Sequence, residues 1–258
     1  MSVVKPMYVY PIPYVFQEIR NVKTNSIFGY EALLRPEDGT DPKTFINARM
    51  MMGGTHQLEV DTFFNAVKMF HKLKMPGYLK INSFPNECLN VHESRVLADE
   101  YGKEFLSRIV VDILEYPFLG REAWYEKERM MLRYDMKSAL NAFGDGIFRD
   151  FSSVMFYHPD VVTIPRHVFQ YMTDNIQQKM YVKSLVEALK NQGATVLAQG
   201  IENAVEYQML ADFGIDLAQG YYIGMPGIPV SPEYIGDEDE EAEEVALDEE
   251  ESAVDLLF

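Results

Sequence analysis

The stretch from Tyr181 to Gln199 reads YVKSLVEALKNQGATVLAQ. Val182, Leu185, Val186 and Leu189 recur at helical spacing, so Tyr181–Asn191 is expected to be an amphipathic helix. Gly193 follows as a stop signal. Thr195–Ala198 is then a short apolar run of strand type, closed by the polar Gln199. Helix, stop and strand recur outward from here. Strands are expected at Phe28–Leu33, Tyr78–Asn82, Ile109–Ile113, Ser138–Asn141 and Val161–Ile164, with a short one at Leu217–Gln219. Between them lie helical patterns such as Leu58–Leu73, where Val60, Phe63, Phe64, Val67 and Phe70 form one stripe. About seven strand–helix alternations in 258 residues predict an α/β fold, a parallel sheet closed into a (β/α)8-type barrel.

Most of these strands end on a carboxylate or carboxamide: Glu31, Asn82, Asp112, Asn141, Gln199 and Gln219. Strand C-termini of a parallel barrel converge on one face, where barrel enzymes place their sites. A single polar residue there would mean only that a loop begins. Six of one chemical kind point to a shared site.

Composition narrows the function classes. The net charge is −17, and eleven acidic residues with no basic one fall within Asp237–Glu251, leaving −6 for the rest. Neither part offers the basic surface that a phosphate backbone requires, so direct nucleic-acid binding is not expected. Residues 1–231 are expected to form the barrel domain. Residues 232–258 read as a flexible acidic tail, because charge without periodicity cannot bury enough apolar surface to become ordered. The tail ends in the apolar Leu256-Leu257-Phe258. No run approaches the ~20 apolar residues of a membrane span, and the N-terminus has no signal-peptide pattern. Cys88 is the one cysteine, which excludes an intrachain disulfide and a cysteine-rich metal site. It reads as a small, buried or half-buried thiol, and the chain as a soluble protein of a reducing, cytoplasmic compartment.

Further motifs occur in order. Phe16-Gln17 opens a lead-in strand, and Val22-Lys23-Thr24-Asn25 reads as a turn. Gly29-Tyr30-Glu31-Ala32-Leu33-Leu34-Arg35, Ile81-Asn82-Ser83-Phe84-Pro85 and Val111-Asp112-Ile113-Leu114-Glu115 come next. Asn141-Ala142-Phe143-Gly144-Asp145-Gly146 and His158-Pro159-Asp160-Val161-Val162-Thr163-Ile164 follow. Ala198-Gln199-Gly200-Ile201-Glu202 and Ala218-Gln219-Gly220-Tyr221 complete the series. From Phe16 to Pro226 the chain resembles the EAL domains, the bacterial cyclic-di-GMP phosphodiesterases, named for the signature seen here as Glu31-Ala32-Leu33.

The resemblance implies metal-assisted hydrolysis of a phosphodiester by two divalent cations, Mg²⁺ or Mn²⁺, held by oxygen ligands. Glu31 and Asn82 keep the family's ligand types, and Asp112 stands where the family has glutamate. The family's paired aspartates are here Asn141 and Ala142, its strand lysine is Thr163, and the acid of its later Ala-Glu-Gly motif is Gln199. A frame shifted to put Asp145 at the paired acids conflicts with Phe143-Gly144 and Gly146. The expectation is therefore a degenerate site with no intact catalytic residues. Its vestigial metal positions are Glu31, Asn82, Asp112 and Asn141, and no cofactor is expected beyond Mg²⁺ or Mn²⁺ if that vestige still binds metal. Gln17, Glu31, Leu33, Arg35, Asn82, Glu202 and Gln219 sit where the family touches the nucleotide, with Arg35 as a phosphate contact. Glu115 matches the acid that anchors the loop after the paired aspartates, and Pro165 stands where the family usually has aspartate.

Other conspicuous residues read as ordinary. Met50-Met51-Met52 and Met130-Met131 are expected to pack apolar faces, and Trp124 to lie on a helix surface. Asp135 and Asp150 are expected to be solvated, and the histidines show no metal-ligand spacing. The functional expectation is a catalytically inactive EAL-like signalling module that docks a protein partner, as a possible twofold homodimer. The alternatives are a cyclic-di-GMP receptor that binds without hydrolysis and, less favoured, an active phosphodiesterase.

Overall fold

A computed structural model of the protein describes residues 8–116, 121–144 and 151–229. Eight strands form a closed barrel in chain order. They are β1 (Tyr14–Asn21), β2 (Ile27–Leu34), β3 (Tyr78–Ser83), β4 (Ile109–Ile113), β5 (Lys137–Leu140), β6 (Val161–Pro165), β7 (Thr195–Gln199) and β8 (Leu217–Gln219). The strands from β2 to β8 pair in parallel, as expected. β1, the strand that Phe16-Gln17 opens in the sequence, runs antiparallel to both β2 and β8 and closes the barrel. An all-parallel sheet is thus corrected to seven parallel strands and one antiparallel one. The physical reason is the short Val22–Thr24 turn, since only an antiparallel pair can be joined by so few residues.

The helices are α1 (Pro42–Met51), α2 (Thr55–Lys72), α3 (Val91–Tyr101), α4 (Lys103–Leu106) and α5 (Arg121–Tyr134), then α6 (Phe151–Tyr157), α7 (Arg166–Phe169), α8 (Ile176–Asn191) and α9 (Ala204–Asp212). Their starts are written in the sequence. Asp41 caps α1 ahead of Pro42, and Asn90 and Glu93 form a reciprocal capping box on α3. The Asn175 side chain accepts from two backbone N–H groups at the start of α8. Gly193, in the left-handed region at φ 86°, ends that helix as the sequence predicts.

Two apolar cores result. The larger lies between barrel and helices, with Phe63, Val67 and Phe70 of α2 and Val182, Val186 and Leu189 of α8 fully buried. The smaller fills the inside of the barrel with Ile19, Val110, Ala139, Val161, Leu197 and Leu217. Side chains alternate with a period of two along a strand, so the next inward positions are Asp112, Asn141, Thr163, Gln199 and Gln219. The apolar floor therefore raises a polar layer directly above it. Gly29 makes this closure possible, because a Cβ there would stand 2.1 Å from the Tyr78 carbonyl oxygen.

Several expectations change. Trp124 is buried, edge-on to Tyr157 with ring centroids 4.6 Å apart, not on a helix surface. It belongs to the inward stripe Trp124, Lys127, Met131 and Tyr134 of α5, a stripe disguised by its lysine. Met130 and Met131 pack inside, but Met51 and Met52 are exposed at the end of α1. Pro165 is the last residue of β6 and precedes α7, a place where a missing N–H costs little. Cys88 is half-buried, and burial raises its thiol pKa. Asp135 is exposed and pairs with Lys103. Asp145, Asp150 and the acidic tail, with the expected boundary at residue 231, lie outside the described residues. No helix among the described residues is long and apolar enough to cross a membrane.

Candidate functional site

The six polar strand ends meet at the C-terminal mouth of the barrel. Glu31 is their centre. Its Oε1 accepts from Asn82 Nδ2 and Lys80 Nζ, each at 3.3 Å. Its Oε2 accepts from Gln199 Nε2 at 2.8 Å and Gln219 Nε2 at 2.6 Å. Asn141 Nδ2 donates to Asp112 Oδ2 at 2.7 Å and to Asn82 Oδ1 at 3.3 Å. Gln219 also donates to Gln17 Oε1 at 3.0 Å, and Gln17 in turn donates to the Gly224 carbonyl. The network thus reaches across the β1–β8 seam.

Lys80 was not anticipated. It is 2% exposed, and its ammonium lies 2.5 Å from Asp112 Oδ2 as well as 3.3 Å from Glu31. The signal was available, because Lys80 and Asn82 are two residues apart on β3 and therefore share a face. Burial works against its charge, but Asp112 and Glu31 outweigh this and raise its pKa above the ordinary lysine value. Burial drives Asp112 the other way for an acid, up to about 6, against the opposing pull of Lys80. The cluster therefore sets two acids, Glu31 and Asp112, against one lysine and a ring of neutral amides.

These groups suit hydrogen bonding to one another better than metal coordination. A hard divalent cation takes six or more oxygens, and the protein anchors it through carboxylates free to bind it. Glu31 already receives four donors. Gln199 and Asn141 turn N–H groups, not oxygens, toward the carboxylates. Ala142 offers no ligand, and it sits at φ 58°, a left-handed conformation unusual for alanine. Asp112 Oδ1, Thr163 Oγ1 and Gln219 Oε1 are buried without hydrogen-bond partners, and only the first of them is anionic. Among the described residues no group of three or more His, Cys, Asp or Glu side chains could hold a metal ion. The site residues do not fit two divalent cations.

Above the network is a cavity of about 340 Å³, lined in part by Glu31, Leu33, Arg35, Asn82, Asn141 and Gln199. Apolar walls come from Leu34, Ile46, Leu58, Phe84 and Leu114. Arg35 is exposed at the rim, its Nη1 donating to the Leu34 carbonyl. A neighbouring cavity of about 410 Å³ shares Ile46, Leu114 and Asn141 and adds Lys43, Glu115 and Tyr116. Glu115 therefore faces the mouth, while the loop it was expected to anchor falls partly outside the described residues. Glu202 is not brought to the cavity lining. It is exposed and ion-paired with Arg166 at 2.9 Å. Gln17 and Gln219 stand behind Glu31 instead of lining the cavity. Gly220, at φ 151°, permits the chain to turn beside Ile201, whose backbone would meet a Cβ at 2.2 Å.

The sequence matches the EAL domain over residues 12–226, and the chain belongs to that family. An uncharacterized protein of Azorhizobium caulinodans is 33% identical over 92 residues, 35% of this chain and 12% of that protein. The chain thus spans a small part of the length of that curated relative. Among solved structures, a standalone EAL protein from Vibrio cholerae in its c-di-GMP-bound form superposes with a TM-score of 0.75 at 22% identity, covering 88% of this chain and 99% of that one. An EAL domain protein from Listeria monocytogenes gives 0.72 at 18%, covering 84% and 88%. A manganese and cyclic-di-GMP complex from Klebsiella pneumoniae gives 0.72 at 19%, covering 86% and 57%. At these identities the likeness is one of fold.

Proposed function

We propose that this EAL domain does not hydrolyse cyclic di-GMP and works by binding. One observation carries this reading: the amides that stand at family acids, Asn141 and Gln199, donate to the remaining carboxylates and so occupy them with N–H groups. A hydroxide-generating metal pair has nothing to hold it there. Gln199 lacks a basic atom to accept a proton at neutral pH, and loss of a general base alone costs ~10²–10⁴ in rate.

Of the two ways to work by binding, the cavity favours a receptor for a cyclic dinucleotide. Its walls combine apolar surface for a base with Arg35 for a phosphate, and the structural neighbours in complex with cyclic di-GMP are consistent with it. Gln17, Gln219 and Glu202 act in this reading as support for the mouth, not as ligand contacts. The protein-docking module expected from the sequence keeps one supporting observation, the exposed Tyr171, Ile176, Met180 and Tyr181 at the N-terminal end of α8. A homodimer through such a face is part of that second reading.

Calorimetric titration with cyclic di-GMP, with and without Mg²⁺, tests the proposal. Saturable binding that is unaffected by the metal and weakened in Arg35→Ala is expected, with no linear product formed. Metal-dependent cleavage that is absent in Glu31→Ala overturns the inactive reading. No binding at all returns the docking module to first place.

A further inference from the structure

Lys80 has no part in the reading above, yet it is the most deeply buried cation at the barrel mouth. An unpaired ammonium at that depth would carry a large desolvation penalty. Two carboxylates in one poorly solvated site have the complementary difficulty, since like charges there disfavour joint ionisation. A bound divalent cation resolves the second problem by bridging the acids. A lysine reaching in from β3 resolves both together.

We propose that the Lys80 ammonium is a built-in substitute for a divalent cation, bridging Glu31 and Asp112 from within the chain and closing the barrel mouth to metal. The geometry is that of a bridge, with Nζ 2.5 Å from one carboxylate and 3.3 Å from the other. Asn141, Gln199 and Gln219 complete the substitution by donating to the same two acids, as ligand-type oxygens would not. Lysine suits the place because it is a compact point charge with freely directed donors. Of the unpartnered oxygens there, Asp112 Oδ1, Thr163 Oγ1 and Gln219 Oε1, only the first is anionic, too little charge for a pair of divalent cations. The inference does not depend on whether the cavity takes a nucleotide.

The test is uptake of Mn²⁺ alone by the full chain, followed by the electron paramagnetic resonance signal of the free ion. Wild type, Lys80→Ala, Glu31→Gln and the double variant Lys80→Ala/Asp112→Asn are compared, and the acidic tail contributes equally to all four. Wild type should match Glu31→Gln. Lys80→Ala should gain one site per chain, at least tenfold tighter than any uptake by wild type, and the double variant should lose it. One-to-one wild-type binding that vanishes in Glu31→Gln overturns the proposal, as does a folded Lys80→Ala chain that takes up no more than wild type. Should Lys80→Ala unfold, its melting is measured with Mn²⁺ added. Recovery of a cooperative transition supports the substitution, and failure to recover counts against it. Because nucleotide binding is not read, failure here leaves the receptor reading intact.

Discussion

Two lysines are buried among the described residues, Lys80 inside the barrel and Lys127 outside it. Lys127 of α5 reaches Glu59 of α2 at 2.9 Å and also donates to Ser83 of β3. Ser83 in turn donates to Glu59, whose other oxygen accepts from the Phe84 N–H at 3.1 Å. One base meets one acid, and every remaining polar atom of the trio is used. Lys80 instead meets two acids, and Asp112 Oδ1 beside it has no partner. The outer cluster joins two helices to a strand and opens onto no described cavity lining. The inner one lies beneath a cavity. The outer cluster is closed in stoichiometry, as a structural joint is, and the inner one is not.

That contrast is open to attack from its strong side first. Lys127→Ala leaves Glu59 buried without its cation and should cost about 3–5 kcal/mol in urea unfolding. Adding Glu59→Gln, which keeps an acceptor for Phe84, should restore much of that loss. If it restores none, the outer cluster is not a simple pair. Lys80→Ala should cost less, about 1–3 kcal/mol, because Glu31 keeps three donors and Asp112 keeps Asn141. Equal costs for the two lysines would break the distinction.

Smaller effects sharpen it. Ala142 beside the inner cluster holds a left-handed backbone at φ 58°, which costs an alanine roughly 1–2 kcal/mol. Glycine has no such cost but loses more chain entropy, so Ala142→Gly should gain about 0.5–1 kcal/mol in the same assay. A loss would mean that the methyl group packs usefully. His56 of α2 gives the weakest effect. Partial burial lowers its pKa, but Glu93 at 3.1 Å and Glu87 at 3.2 Å outweigh this and raise it. A raised histidine stabilises fully below its unfolded value of about 6.5 and loses that contribution as pH rises through the folded value. Melting temperature should thus fall slightly as pH climbs above 6.5, and His56→Gln should flatten the slope. A slope that survives unchanged assigns it to other groups.

Much of the barrel was legible because period-two strands and capped helices are local features. Tyr181–Gln199 carries its helix, stop and strand within a few turns of chain, and the structure agrees. The convergence of Glu31, Asn82, Asp112, Asn141, Gln199 and Gln219 was also readable, since topology alone sends strand ends to one face. Lys80 was not, because a lysine inside an apolar run looks like an interruption until its two acids arrive from other strands. Lys127 hid Trp124 in the same way. Phe16-Gln17 marked the start of β1 and Val22–Thr24 its turn, but its antiparallel direction escaped because it stands outside the strand–helix alternation. Glu202 was placed by family position, and its capture by Arg166 depends on a contact between the start of α7 and the loop after β7 that no local pattern announces.

The seam between β1 and β8 has a consequence for how the protein is made. Arg20 and Asn21 pair with Ala218 and Leu217, and Phe16 exchanges backbone hydrogen bonds with Gly227 at 2.8 and 2.9 Å. The first barrel strand to leave the ribosome therefore waits for the last barrel strand before it has both neighbours. Until then its edge is unpaired and the chain carries a template for wrong partners. Gln219 arrives with that final strand, so Glu31 receives its shortest hydrogen bond only when synthesis of the barrel is almost complete. During translation the ring can shut only from its far end, and a nascent chain stalled before Leu217 would hold the acids of the mouth without the amide that quiets them.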